Sequence, residues 1–363
     1  MLNNLIIDQF GIFLGKHSER LVVRKGKETL SEHALMNLEQ VIIASPGVSL
    51  SSDLIEECTE RGIQLTFLTY SGRPYAKIVS PALTATVKTR REQLMAYRDE
   101  RGVEITKRFT EGKIKNQINL LQYFGKYRKA KKPEVFSALQ ELVKKMKGVL
   151  KELVPVEETC IYEARVTLLN IEGRIGALYW QGVKAILPDG LFSTREHQGT
   201  NNPVNALLNY GYGILYSQIW TALTLAGLEP FGGFLHVDRP GKPSLVLDFI
   251  EEFRQPVVDR TVFGLINRGF AVEMEILNKE ELAAQHAVST STESSSEESP
   301  SEQKRLSMET RKAFAQHILA RLEDDEPFEG KRYKLKNIIQ MQARHLATFL
   351  RKEGDYKPFV MRW

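Results

Sequence analysis

The stretch LHVDRPGKPSLVLDFIEEFR, Leu235 to Arg254, sets a histidine, a proline-bracketed loop and three clustered carboxylates close together in the chain. On a helical wheel advancing about 100° per residue, Leu245, Val246, Phe249, Ile250 and Phe253 fill one arc, while Asp248, Glu251 and Glu252 crowd one edge. Like charges at that spacing disfavour a helix, so the edge is either solvated or held near a cation. His236 stands 12 residues before Asp248 and 15 before Glu251. The intervening DRPGKP has the turn-forming residues that fold the imidazole back against the helix.

A further acid lies upstream, in EARVTLLNIEGRIGALYWQGV. Glu172 falls on the wheel among Leu168, Leu169, Tyr179 and Trp180, opposite Thr167, Asn170 and Arg174, so it is expected to point into the core. A buried carboxylate must be protonated, paired with Lys or Arg, or bound to a metal. Gly173 and Gly176 beside it leave room for another group to approach. Two acids and a histidine form an O,O,N ligand set suited to Mg²⁺ or Mn²⁺. Such an ion polarises a phosphate and stabilises charge developing on attacking and leaving oxygens.

The elements that must position these groups change character along the chain. Before residue 80, NLIID, GIFLGKHSERLVVRKG, EQVIIAS, IQLTFLTYSG and RPYAKIVSP read as short strands, with one helix-like stretch, SSDLIEECTERG. Gly26 within RKGK marks a hairpin. After Pro81 long helical segments dominate. The class expected is α+β: a β-rich, sandwich-like domain over 1–85 and a larger all-α domain over 86–363. HAVSTSTESSSEESPSEQK, 286–304, is too polar to bury a core and reads as a disordered insertion. Helical periodicity resumes at METRKAFAQHILARLE and LKNIIQMQARHLATFLRKEG.

The 363 residues carry 42% hydrophobic and 26% charged side chains, as in an ordinary soluble protein of two domains. No apolar run reaches the roughly 18 residues of a membrane span, and MLNNLIIDQFG lacks a basic signal region. Cys58 and Cys160 form no CxxC pair, which fits a reducing cytoplasm. The net charge of +5 is unevenly placed: Lys88 to Lys147 hold 17 Lys or Arg against 7 Asp or Glu, with Tyr97, Phe109, Tyr123, Phe124 and Tyr127 among them. Basic charge gains affinity for nucleic acid through counterion release, so DNA or RNA is the partner expected. The constellation and this block together suggest metal-dependent phosphodiester chemistry. The alternative is a non-catalytic basic helical scaffold that binds nucleic acid, with Glu172 paired internally and His236 structural.

Five segments in order, IEGRIGALYW, NPVNALLNYGYGILY, AGLEPFGGFLH, GKPSLVLDFIEEFRQP and YKPFVMRW, make nearly the whole chain resemble the CRISPR-associated adaptation integrases of the Cas-one family. The resemblance implies metal ligands at Glu172, His236 and Glu251, with Asp248 as a further acid of the catalytic site. Relatives often carry Asp at the last ligand position; here Glu251 is followed by Glu252, and either could serve. Asn205 and Tyr212 match polar positions near the site, and Lys242, Arg254 and Arg174 are candidate phosphate contacts. The implied reaction is attack by the 3′-hydroxyl of a short foreign DNA duplex on a phosphodiester of the CRISPR repeat, with endonuclease and disintegration activity alongside. The implied partners are double-stranded DNA, a second copy through the β domain, and a dimer of the companion Cas-two protein in a heterohexamer, without a membrane.

Overall fold

A computed structural model describes residues 4–69, 72, 74–78, 87–196, 200–276 and 303–363. Short β-branched runs build the first part: β1 (Asn4–Ile7), β2 (Ile12–His17), β3 (Arg20–Lys25), β4 (Glu28–Ala34), β5 (Gln40–Ile43), β6 (Ser49–Leu50), α1 (Ser52–Glu60), β7 (Gln64–Leu68) and β8 (Pro74–Ile78). Gly26, with φ 59°, turns β3 into β4, as RKGK suggests. The second arm of that hairpin, β4, ETLSEHA, has no apolar alternation of its own; it lies at a sheet edge, where one exposed side removes the need for it. One sheet runs β4-β3-β2-β6 and the other β1-β5-β7-β8, the latter parallel except for the antiparallel β8. Leu14, Leu21 and Val23 of the first sheet meet Val41, Ile43 and Leu65 of the second, with Leu54 and Cys58 of α1.

Alternation along β5 couples this unit to the helices. Val41 and Ile43 enter the β core, while Ile42 on the other face joins the helical core. The helical part comprises α2 (Val87–Ala96), α3 (Glu100–Lys126), α4 (Pro133–Leu150), α5 (Ile161–Ile186), α6 (Pro203–Leu225), α7 (Ser244–Phe249), α8 (Arg260–Asn267), α9 (Met308–Leu322) and α10 (Leu335–Leu350). Two small ribbons add to the helices expected: β9 (Met274–Ile276) with β10 (Lys304–Leu306), and β11 (Asp325–Phe328) with β12 (Lys331–Lys334). The expected boundary at 85/86 lies outside the described residues, as does the expected insertion through residue 302. Lys304, placed at its end, stands in β10.

Asp99 caps α3 by accepting the Arg101 N–H at 3.0 Å, and Asn202 caps α6 by accepting that of Asn205 at 3.0 Å, with Pro203 opening the helix. α3 packs on α4 and α5, and α6 on α9 and α10, in one continuous apolar core. Along α5 the core stripe is Leu168, Ile171, Ile175 and Tyr179. Glu172 therefore sits half-buried at the edge of the stripe rather than at its centre, and Leu169 is exposed. No described helix is long and apolar enough to cross a membrane.

Between β8 and α6 the half-buried Lys77 donates to Thr221 Oγ1 and, at 3.3 Å, to Gln64 Oε1. Burial, with no carboxylate partner among the described residues, pushes its ammonium down to about 7 from an ordinary 10.5. The charged form is thus disfavoured by folding. The penalty is full below pH 7 and disappears as pH rises from 7 to 10.5. Lys77→Met is expected to raise the melting temperature at pH 6, with the advantage shrinking by pH 10; calorimetry at both values checks this, and equal shifts at both would refute the buried-charge account.

Candidate active site

The site begins with a close approach. Gly233 lies so near the start of α7 that a Cβ there would come within 2.5 Å of the Ser244 carbonyl carbon, and its N–H donates to Ser244 Oγ at 2.9 Å. This brings the chain over Asp248. Its carboxylate accepts three successive backbone N–H groups, from Phe234 at 2.6 Å, Leu235 at 3.1 Å and His236 at 3.0 Å. It also meets His236 Nδ1 at 2.6 Å. A carboxylate accepts, so Nδ1 is the nitrogen that donates here, and in the neutral imidazole Nε2 is the one with a free lone pair. Arg165 of α5 holds the same turn through the Phe234 carbonyl at 2.9 Å and the Tyr97 hydroxyl at 2.7 Å.

The other two expected ligands meet around a lysine. Lys113 of α3 places its ammonium between Glu172, with which it forms a close ion pair, and Glu251 at 2.8 Å. Glu251 also pairs with Arg254 at 3.1 Å. Burial opposes ionisation of Glu251, but Arg254 and Lys113, with His236 nearby, outweigh it and hold the carboxyl down at about 2. Pairing of Glu172 with an internal cation, one of the three states open to a buried acid, is thus realised here by a residue on another helix.

The three carboxylates do not share a helical edge, and none is solvated. Only Ser244–Phe249 is regular α-helix; a 3₁₀ turn covers Ile250–Glu252 and a π segment covers Arg254–Asp259. Pro256 explains the break, since its ring would clash with the carbonyl of Glu252 four residues back. That carbonyl accepts from Asn116 Nδ2 at 2.9 Å instead. Glu252 consequently turns away from Glu251 and accepts from the Tyr356 hydroxyl at 2.8 Å, the Phe359 N–H at 2.8 Å and Gln342 Nε2 at 3.2 Å. Burial pushes its carboxyl up to about 8. Glu252 fastens the C-terminal segment, and Glu251 alone faces Lys113 and Glu172.

Behind the ion pairs lies a second buried layer that the sequence did not announce. Asp259 accepts from the hydroxyls of Tyr179 and Tyr212, both at 2.5 Å. Burial raises its carboxyl, and raises both phenols well above their usual value. Arg254 lies over the Tyr212 ring at 4.6 Å, and Arg195 at 5.6 Å. Asn205 is buried, accepting from Arg195 at 3.1 Å and from the Glu196 N–H at 3.1 Å, so it fixes the 194–196 loop. Arg174 forks onto Glu152 at 2.7 and 2.9 Å on the exposed side of α5, away from the acids. Lys242 lies in the turn that precedes α7, where its N–H closes onto the Arg239 carbonyl.

The family model described as CRISPR associated protein Cas1 matches residues 5–318. The "CRISPR-associated endonuclease Cas1 1" of Archaeoglobus fulgidus is 34% identical over 99% of both chains. The chain belongs to the Cas1 family. Among solved structures, a casposase bound to integration product shares the fold, with TM-score 0.77 and 22% identity over 98% of this chain and 93% of that one. A chain of a Cas6-RT-Cas1–Cas2 complex does so with TM-score 0.74 and 20% identity, over 98% of this chain and 36% of the longer neighbour.

A divalent ion fits this Cas1 site in its donor chemistry. His236 offers Nε2, Glu172 and Glu251 offer carboxylates, and the ammonium of Lys113 already marks a cation position between the two acids. Among the described residues no three acidic, His or Cys side chains close around one point, and Lys113 occupies the space between the two carboxylates.

Two neighbouring glutamates should therefore behave differently. Glu252→Ala leaves three donors without their acceptor and is expected to cost roughly 2–4 kcal/mol of stability. Glu251→Gln removes the charge that Lys113 and Arg254 face, so it is expected to cost stability as well, and to lose catalysis even in the protein that stays folded. Urea unfolding beside a strand-joining assay checks both; a catalytic loss confined to Glu252 variants that remain folded would reverse the assignment.

Proposed function

We propose that this protein is a divalent-metal-dependent DNA endonuclease and integrase that inserts short foreign duplexes into a CRISPR array by transesterification. The observation that carries the reading is the buried cation position between Glu172 and Glu251, beside an imidazole whose Nδ1 is committed to Asp248. Glu172, Glu251 and His236 Nε2 would hold Mg²⁺ or Mn²⁺, which supplies charge neutralisation at the phosphate and acidifies the attacking hydroxyl.

In the reaction, the 3′-oxygen of the incoming strand forms a bond to phosphorus and the target strand's 3′-oxygen departs. The proton lost by the attacking hydroxyl is matched by one gained on the leaving oxygen, and one phosphodiester replaces another, so no nucleotide hydrolysis is needed. Asp248 keeps His236 in one tautomer and orientation. Arg254, stacked on Tyr212, supplies positive charge that offsets the phosphate. Asp259 and its two tyrosines hold Arg254's platform rigid.

The name of the Archaeoglobus relative and the integration product held by the casposase support an action on DNA. The Cas1–Cas2 neighbour supports a companion Cas2 protein as partner. Homodimers bridged by a Cas2 dimer, action in the cytoplasm, and double-stranded DNA as both donor and target complete the reading. Lys107 and Lys126 hold backbone carbonyls, Lys115 pairs with Glu111 and Lys88 with Glu353, so phosphate contacts are expected mainly from the exposed Lys144, Lys145 and Lys147 near the end of α4.

Joining and disintegration of a branched DNA duplex, with Mn²⁺, Mg²⁺ or chelator, tests the proposal. Chelator should abolish turnover, and Glu172→Ala or His236→Ala of matched melting temperature should lower it at least about 100-fold. Turnover that survives these changes, or DNA binding without any divalent-dependent turnover, would instead support the scaffold.

A further inference from the structure

A second cleft, of about 950 Å³, opens at the far ends of α3 and α5. It lies about 15 Å along α3 from Lys113 and about 20 Å along α5 from Glu172, by the rise of a helix. Six Lys or Arg side chains line it, against the two carboxylates of Asp189 and Asp324. Asp324 is already paired with Arg321 at 2.9 Å. Among the described residues Lys131, Lys132 and Arg268 have no acidic partner within 4.0 Å. The cleft thus carries spare positive charge in a concave space.

Its aromatic groups say which anion fits. Tyr123, on the last turn of α3, and Tyr127, which follows that helix, meet edge to face at 5.5 Å, and Tyr127 is 67% exposed. Arg260 lies over the Tyr123 ring at 5.6 Å and the terminal Trp363 ring at 5.9 Å. One exposed ring, Tyr127, backed by the half-buried Tyr123 and set beside unpaired cations, suits a ligand that offers both phosphates and free π-faces. A duplex stacks its bases inward, whereas an unpaired strand presents them.

We propose that this cleft holds an unpaired segment of a DNA strand, its phosphates on Lys131, Lys132 and Arg268 and its bases against Tyr127 and Tyr123, apart from the phosphodiester that reacts. The assignment rests on the DNA-directed reading above.

Fluorescence anisotropy with the full chain tests it, using labelled oligothymidylate, an abasic oligonucleotide of equal length and a blunt duplex. Tyr127→Ala should weaken oligothymidylate binding about tenfold and leave the abasic strand unaffected. Lys131→Glu with Lys132→Glu should weaken both single strands while duplex affinity stays within about twofold. Unchanged oligothymidylate affinity in both variants, or an equal loss for strand and duplex, would overturn the proposal. Divalent-dependent joining on a fully paired branch, measured on the same variants, separates the two readings. Its absence in the wild type with cleft-dependent strand binding intact would sink the reaction alone; normal joining with strand binding indifferent to these substitutions would sink the cleft alone.

Discussion

Two ionised carboxylates from separate elements cannot share a buried space unless positive charge lies between them, and Lys113 supplies it. Its ammonium, from the middle of α3, joins Glu172 of α5 to Glu251 of the turn after α7. An isolated charge there would be strongly disfavoured, and the penalty is offset only because each partner is also paired or hydrogen-bonded. Arg254 completes Glu251, and the Tyr212–Asp259–Tyr179 group supports Arg254. The packing of α3 against α5 and against the 250–259 segment is thus also the arrangement that gathers Glu172, Lys113 and Glu251.

The irregularity of the 244–267 segment serves the same end. A continuous α-helix would leave Glu251 and Glu252 about 100° apart on one surface. The 3₁₀ turn and the π segment around Pro256 send Glu251 toward Lys113 and Glu172 and Glu252 to the C-terminal tail. Asp248 faces a third direction, into successive N–H groups that can approach only because residue 233 is glycine. Three adjacent acids therefore do three jobs: orienting a histidine, facing a cation and anchoring the chain's end.

Much of this could be read from the residues. The alternation of apolar strands, the change to helical texture and the hairpin at Gly26 follow from local patterns that tertiary structure did not overrule. His236, Glu172 and Glu251 were marked by residue type, spacing and resemblance, and the fold brings Glu172 and Glu251 onto one lysine with His236 beside them. The helical wheel failed where its constant pitch failed, at Pro256, and it put Glu172 too deep because Leu169 and Trp180 do not lie on the core stripe. Lys113 was invisible among the many lysines of its helix; its one signal is a position four residues after the buried Phe109. Asp259 left a similar trace as an acid in the buried run after Pro256.

The central claim is that a tethered ammonium marks the place of a divalent ion. Calorimetric titration of Mn²⁺ into the wild type, His236→Ala and Lys113→Met tests it most directly, without recourse to activity. The account predicts a single ion per chain, bound more weakly when the imidazole is removed and more tightly when the competing ammonium is removed. No saturable binding, or an affinity indifferent to both substitutions, would contradict it.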